Sequence, residues 1–157
     1  MGYCVEIITW NITIPADKVA DCLAAINALH TDTELLAHAS GGSWGGGVSM
    51  EKPLRERKWY SWVDNPKDGE GFKDIRDAFT AWRYEPIQEE DGSVSVDSFH
   101  GEKWGDDPIL YAAIAPFVLQ EAGNEAIIEC RGEDGNHWRY LFKDGGMVEQ
   151  SAKVSWE

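Results

Sequence analysis

The sequence predicts one α+β domain built on antiparallel sheet. Strand-like alternation at both ends of the chain, three amphipathic stretches between them, and Asp-Gly turns joining neighbouring strands carry that reading. The predicted order is β-α-β-β-α-β-β-α-β-β-β across residues 1–157, with no linker dividing it, and with split β-α-β units of the ferredoxin-like kind. At 157 residues, 43% of them apolar and 27% charged, the chain has the size and composition of a globular domain.

The elements follow in order. Tyr3 to Ile14 alternates β-branched and aromatic residues and reads as a strand that Pro15 stops. Ala16 to Leu29 then spaces Val19, Leu23, Ile26 and Leu29 for a helix, with Asp17 and Asp21 near its positive end. Ser40 to Gly47 is a glycine-rich loop around Trp44, ending in a short strand-like Val-Ser-Met. Lys58 to Val63 alternates again and predicts a further strand, and the turn-rich stretch after it leads to a helix over Phe72–Ala81.

Trp82 to Phe99 reads as a hairpin around the Asp91-Gly92 pair, with Pro86 weakening its first strand. A third helix follows, capped by Asp106 or Asp107, with Pro108 in its first turn and Ile109, Leu110, Ala113, Ile114, Phe117 and Val118 facing inward. Strands over 126–131, 137–143 and 147–156 close the chain as a meander; Trp138, Tyr140 and Phe142 share a face of the middle strand, Val148, Ala152, Val154 and Trp156 share a face of the last, and Trp138 and Trp156 are expected on inward faces. The triplet Trp-Arg-Tyr occurs at 82–84 and again at 138–140, a recurrence that a strand with one aromatic face explains without a duplication.

Several classes are disfavoured. The longest nearly uncharged run, Pro108–Gln120, is too short to cross a bilayer, and Pro116 interrupts it. The opening residues carry no basic region, cleavage site or myristoylation pattern, and Cys4, Cys22 and Cys130 suit free thiols in a reducing compartment, so a cytoplasmic protein is expected. A net charge of −14 repels nucleic-acid backbones and anionic membranes.

No motif announces chemistry. His30, His38, His100 and His137 lack any nucleophile signature, and their spacing to the cysteines does not suit zinc. Asp91, Ser93, Ser95, Asp97 and Glu102 match the ligand spacing of a calcium loop, but Val96 stands where the turn needs glycine. The glycine-rich loop lacks the lysine and hydroxyl of a phosphate-binding loop. No metal or cofactor is expected, and no catalytic residue.

Charge distribution is more informative. Residues 85–157 hold sixteen of the twenty-eight acids against five bases, and the acids fall on turns and outward strand positions. Glu89, Glu90, Asp91, Glu133, Asp134 and Asp144 are the candidate partner-binding residues, a negative face able to dock on a basic groove that holds a phosphate backbone. The alternative is a small-ligand binder sequestering a nucleotide signal, with Arg55, Arg57, Trp59, Trp62, Arg83, Arg131 and Arg139 supplying stacking and bidentate contacts. A third reading is an enzyme whose distant carboxylates gather in a cleft. Trp10, Trp44, Trp62 and Trp104 have no assigned core role and could line a site.

The strings GEKWGDDPILYAAIAPFV and IIECRGEDGNHWRYLFKDGG, with the closing VSWE, resemble a family of uncharacterised small proteins of bacteriophages and bacterial mobile elements. The opening MGYCVEI and the WRYE segment fit the same pattern, so the resemblance covers most of the chain and is weakest in the middle. Its mark is GEDG-x-x-WRY-x-F, which is not an active site. The resemblance implies a phage or mobile-element origin and carries over no catalytic residue. With the lopsided charge, it leads to the expectation of a non-enzymatic, anti-defence inhibitor of a host nucleic-acid-binding protein, acting as a DNA mimic.

Overall fold

The computed structural model describes residues 2–39, 60–67, 71–153 and 155–156. They form an α+β fold in which an antiparallel five-stranded sheet curls beside a two-stranded hairpin. The strands are β1 (Tyr3–Trp10), β2 (Tyr84–Gln88), β3 (Val94–Phe99), β4 (Lys103–Trp104), β5 (Ala126–Gly132), β6 (His137–Lys143) and β7 (Gly146–Ser151). The helices are α1 (Val19–Thr31), α2 (Thr33–Leu36), α3 (Ile75–Ala81) and α4 (Asp107–Ile114). The large sheet runs β4-β1-β5-β6-β7, and β2 pairs with β3.

Both β4 and β5 pair antiparallel with β1, so they are parallel to each other across it, and α4 connects them. That is one split β-α-β unit. The first strand of the chain therefore lies inside the sheet. A bulge at Ile8, where the register slips between Ile7 and Thr9, bends β1. Beyond Trp10 the strand breaks, and Ile14 bridges Val94 of β3, tying the hairpin to the sheet.

Turn chemistry sets the strand ends. Asp144 (φ 55°) and Gly145 (φ 75°) occupy both central positions of the two-residue β6–β7 turn, the left-handed pair that matches strand twist. The β2–β3 turn differs from the two-residue turn expected: Glu89 donates to Ser93, leaving three residues between them, with Gly92 at φ 89°. Helices α2 and α3 are capped by the carboxylates of Asp32, which accepts the Glu34 and Leu35 N–H, and Asp74, which accepts the Arg76 N–H. Asp106 stands at the cap position of α4, but its carboxylate accepts the Ser61 N–H at 2.8 Å instead.

The core is aromatic. Trp82, Tyr60, Tyr84, Tyr111, Tyr140, Phe79 and Phe142 are fully buried, each contributing about 1.5–3 kcal/mol of apolar burial. Tyr111 of α4 seats that helix on the inner face of the sheet, its ring 5.0 Å from Tyr140, and α1 packs against α3 and α4. Trp10 meets Tyr84 at 5.3 Å, and Trp104 meets Phe99 and Tyr140, so both tryptophans are core residues rather than spare ones.

Three other expectations change. Residues 60–63 form a turn rather than a strand, closed by the Val63 N–H on Tyr60 O at 3.1 Å, and Tyr60 is buried and donates to Leu29 O at 2.7 Å. Strand β7 ends at Ser151, and Trp156 is 93% exposed rather than inward. Val148 faces outward, because its partner Leu141 lies on the opposite face from Tyr140. Trp44 and the Val-Ser-Met stretch lie outside the described residues.

Candidate functional site

Where β5 turns into β6, Gly132 lets the chain pass beneath Tyr3; a Cβ at Gly132 would overlap the tyrosine hydroxyl. That hydroxyl donates to the Asp134 carboxylate, which also accepts the Asn136 backbone N–H at 3.0 Å and its side-chain amide at 2.9 Å. These donors hold the Asp134 carboxyl below its usual range, and the hydrogen bond to Asp134 pushes the Tyr3 phenol up to about 12. Glu133 beside it exchanges bonds with Cys4, its carboxylate accepting the Cys4 N–H at 2.8 Å and its own N–H reaching Cys4 O at 2.9 Å. The turn is thereby fastened to the start of β1.

Trp138, the second inner residue of this end, lies with its ring 6.4 Å from that of Tyr3 and tilted by 30°. Its register partner on β7 is Ser151, and Glu149 follows two residues before on the same face. Tyr3, Asp134, Asn136, Trp138, Glu149 and Ser151 enclose an open hollow of about 530 Å³. Its walls are two half-buried aromatic faces and its rim two exposed carboxylates. Such a lining suits a cation, because ring faces and carboxylates both attract positive charge and neither repels the stem that carries it.

The six acids selected from the sequence do not come together. Glu133 and Asp134 stand at one end of β6 and Asp144 at the other, so about 20 Å of strand separates them. Glu89, Glu90 and Asp91 sit on the β2–β3 turn, where Gly92 packs against Ala16. Asp91 accepts the Ser93 N–H at 2.9 Å and its hydroxyl at 2.6 Å, much as Asp134 accepts the donors of its own turn. The six acids thus stand on three turns, with Glu133 and Asp134 a strand length from Asp144.

The arginine set disperses as well. Arg83 is withdrawn from any ligand: its guanidinium donates to both oxygens of Asp107 at 3.0 and 3.1 Å and to Lys103 O at 2.6 Å. Asp107 is fully buried and further bound by Tyr84 and Gly105, and burial pushes its carboxyl up against the pull of Arg83. Arg131 and Arg139 do share the outer face of the sheet, but Arg131 pairs with Glu6 at 2.8 Å and Arg139 bonds Gln150 at 2.7 Å. Trp62 is 52% exposed beside Gly2 and Gly105. Arg55, Arg57 and Trp59 lie outside the described residues.

One cluster imitates a catalytic triad. Ser98, His100 and Glu85 lie within 3.0 to 3.3 Å of one another, but the three contacts join only three atoms, so the imidazole meets both the hydroxyl and the carboxylate through the same Nε2. A relay needs the base to face the nucleophile with one ring nitrogen and its orienting acid with the other. On the outer face, Glu129 likewise takes Nε2 of His137 at 2.6 Å, with Thr9 at 3.4 Å. Among the described residues no helix is long and apolar enough to cross a membrane, and no group of His, Cys, Asp or Glu could hold a metal ion.

The charge pattern of the sequence marks Asp134 but not its neighbours in the hollow. The alternation of β6 does place Trp138 on the inner face, yet Tyr3 and Asp134 are 131 residues apart, and nothing in the spacing announces their bond. No family model, curated protein or solved structure matches the chain.

Proposed function

We propose that this protein is a non-enzymatic acidic binding protein that engages a basic surface of a partner protein. The observation that carries the reading is the hollow at the β5–β6 end of the sheet, where Tyr3 and Trp138 offer ring faces between the carboxylates of Asp134 and Glu149. The field of a chain carrying −14 draws a basic partner toward it, and the aromatic walls give a docked cation a desolvated contact. The resemblance to small phage and mobile-element proteins extends the reading to a host defence protein whose groove holds a phosphate backbone. In that form the mimicry rests on one end of the sheet, not on a stripe of six acids.

Capture of a partner from host lysate on the immobilised protein, at low and at high salt, tests the reading. A basic protein held at low salt and released at high salt, and lost from an Asp134→Asn/Glu149→Gln variant, is the expected result. Capture that ignores both salt and those two substitutions would count against it.

A further inference from the structure

Strand β7 is the last strand of the sheet, and no other strand pairs with its outer edge among the described residues. The two-residue turn makes Lys143 and Gly146 a hydrogen-bonded pair, and alternation along the register makes Leu141 with Val148 and Arg139 with Gln150 bonded pairs too. The Ala152 N–H bond to His137 O, at 2.9 Å, continues the series. Met147, Glu149 and Ser151 therefore turn their backbone N–H and C=O groups away from β6, and no backbone partner meets these groups among the described residues. Edge strands are commonly protected by charged side chains, proline or a bulge; GMVEQS has no proline and no bulge, and its single charge, Glu149, repels an acidic strand but not a basic one.

The same three residues carry side chains on the inner face, and Glu149 and Ser151 line the hollow. On the outer face Val148, 47% exposed, ends an apolar row that runs through Leu141 to Ile127. The edge thus offers backbone pairing, an acidic and aromatic face on one side, and an apolar row on the other.

We propose that β7 receives an extended basic segment of a partner protein as a sixth strand, with an arginine of that segment lying against Trp138 and Tyr3 between Asp134 and Glu149. The inference rests on the acidic-binding reading and names how the partner is held. Residues of the incoming strand opposite Glu149 and Ser151 point into the hollow and are selected for positive charge. The residue opposite Val148 points outward and extends the apolar row, while the one opposite Gln150 meets the polar row of Gln150, Arg139 and Glu129, so the recognised pattern alternates arginine with outward residues, aliphatic opposite Val148.

The probe is a capped pentapeptide alternating valine and arginine, titrated into the whole protein with amide chemical shifts as readout. Shifts concentrated at Met147, Glu149 and Ser151, and binding that weakens as salt rises, are expected; the same peptide with glutamate for arginine should not bind. Ser151→Pro removes one free edge donor without touching the β6–β7 ladder or the charge, and should weaken binding roughly fivefold or more. Glu149→Gln keeps the edge and removes the charge, so it should weaken binding and flatten its salt dependence. Full binding by folded Ser151→Pro, or shifts confined to the outer face, would overturn strand addition. A basic partner that stays salt-labile on Ser151→Pro leaves the acidic-binding reading standing, whereas a parent protein that binds neither peptide nor basic partner removes both.

Discussion

The indole N–H of Trp82 donates to Nε2 of His30 across 3.2 Å and fixes the buried imidazole as its neutral, Nδ1-protonated tautomer. The Nδ1–H in turn faces Asn65 Oδ1 at 3.0 Å, and Tyr60 and Phe72 pack edge-on around the ring. Both ring nitrogens are thus used in holding α1 to the segments carrying Asn65 and Trp82.

Acid should unfold the protein through this residue first. Burial lowers the His30 pKa from 6.5 to about 4, so the unfolded chain binds a proton that the folded one refuses. Stability is therefore full above about pH 6.5 and falls as pH drops from there toward 4, by about 3 kcal/mol in all. Urea midpoints between pH 7 and pH 4 read the slope, and His30→Gln should flatten it. The lowered carboxyls of Asp74, Glu85, Asp91 and Asp134 lose their contribution only at still lower pH.

Removing Asp107 should be among the most damaging substitutions. Arg83 would keep a side chain only 14% exposed and lose the carboxylate that takes two of its bonds. Its Nε has no partner among the described residues, and its backbone stands at φ 77°. Asp107→Ala is expected to cost about 3–5 kcal/mol in denaturant unfolding. Replacing the pair together, as Arg83→Met with Asp107→Leu, should cost less than either change alone, since no charge is then left buried without a counter-charge.

Two glycines should respond for different reasons. At Gly132 an added methyl meets the Tyr3 hydroxyl, so Gly132→Ala should displace that ring, cost about 1–3 kcal/mol, and open the hollow enough to weaken partner binding. At Gly145 nothing among the described residues lies within 4 Å of an added Cβ, yet φ is 75°, so Gly145→Ala should cost about 1 kcal/mol through backbone strain and leave binding unchanged. Measuring stability and capture together separates the two.

Charge at the far end of β6 should be silent. Asp144→Asn keeps a residue that tolerates φ 55° and lies across the sheet from the hollow, so partner capture should match the parent. Loss of capture in that variant would move the binding surface to the other end.

Much of this architecture was legible from periodicity. Alternation located β1, β5, β6 and β7, helical spacing located α1, α3 and α4, and Asp-Gly pairs located the turns between strands. Those signals are local, with periods of two and 3.6 residues. What escaped is nonlocal. Two-residue β4 is too short to alternate, and only its pairing with Tyr3 and Cys4 makes it a strand. Arg83 looked available because sequence shows its charge and hides the Asp107 carboxylate that claims it. The acids looked like one face because turns at opposite ends of a hairpin are adjacent in sequence and a strand length apart in space.

The place of β1 between β4 and β5 also bears on how the chain reaches this state. Cys4 bonds Glu133, a residue 129 positions later, and neither sheet neighbour of β1 exists until most of the chain has been made. At about 5–20 residues per second of synthesis, the strand Tyr-Cys-Val-Glu-Ile-Ile-Thr-Trp waits many seconds outside the ribosome with both edges unpaired. Closing loops of that length before any pairing rewards them makes folding slow for the protein's size, on the order of milliseconds to seconds. The newborn chain is thus most vulnerable to aggregation at its first strand, and a nascent-chain chaperone that shields residues 3–10 would raise the yield of folded protein.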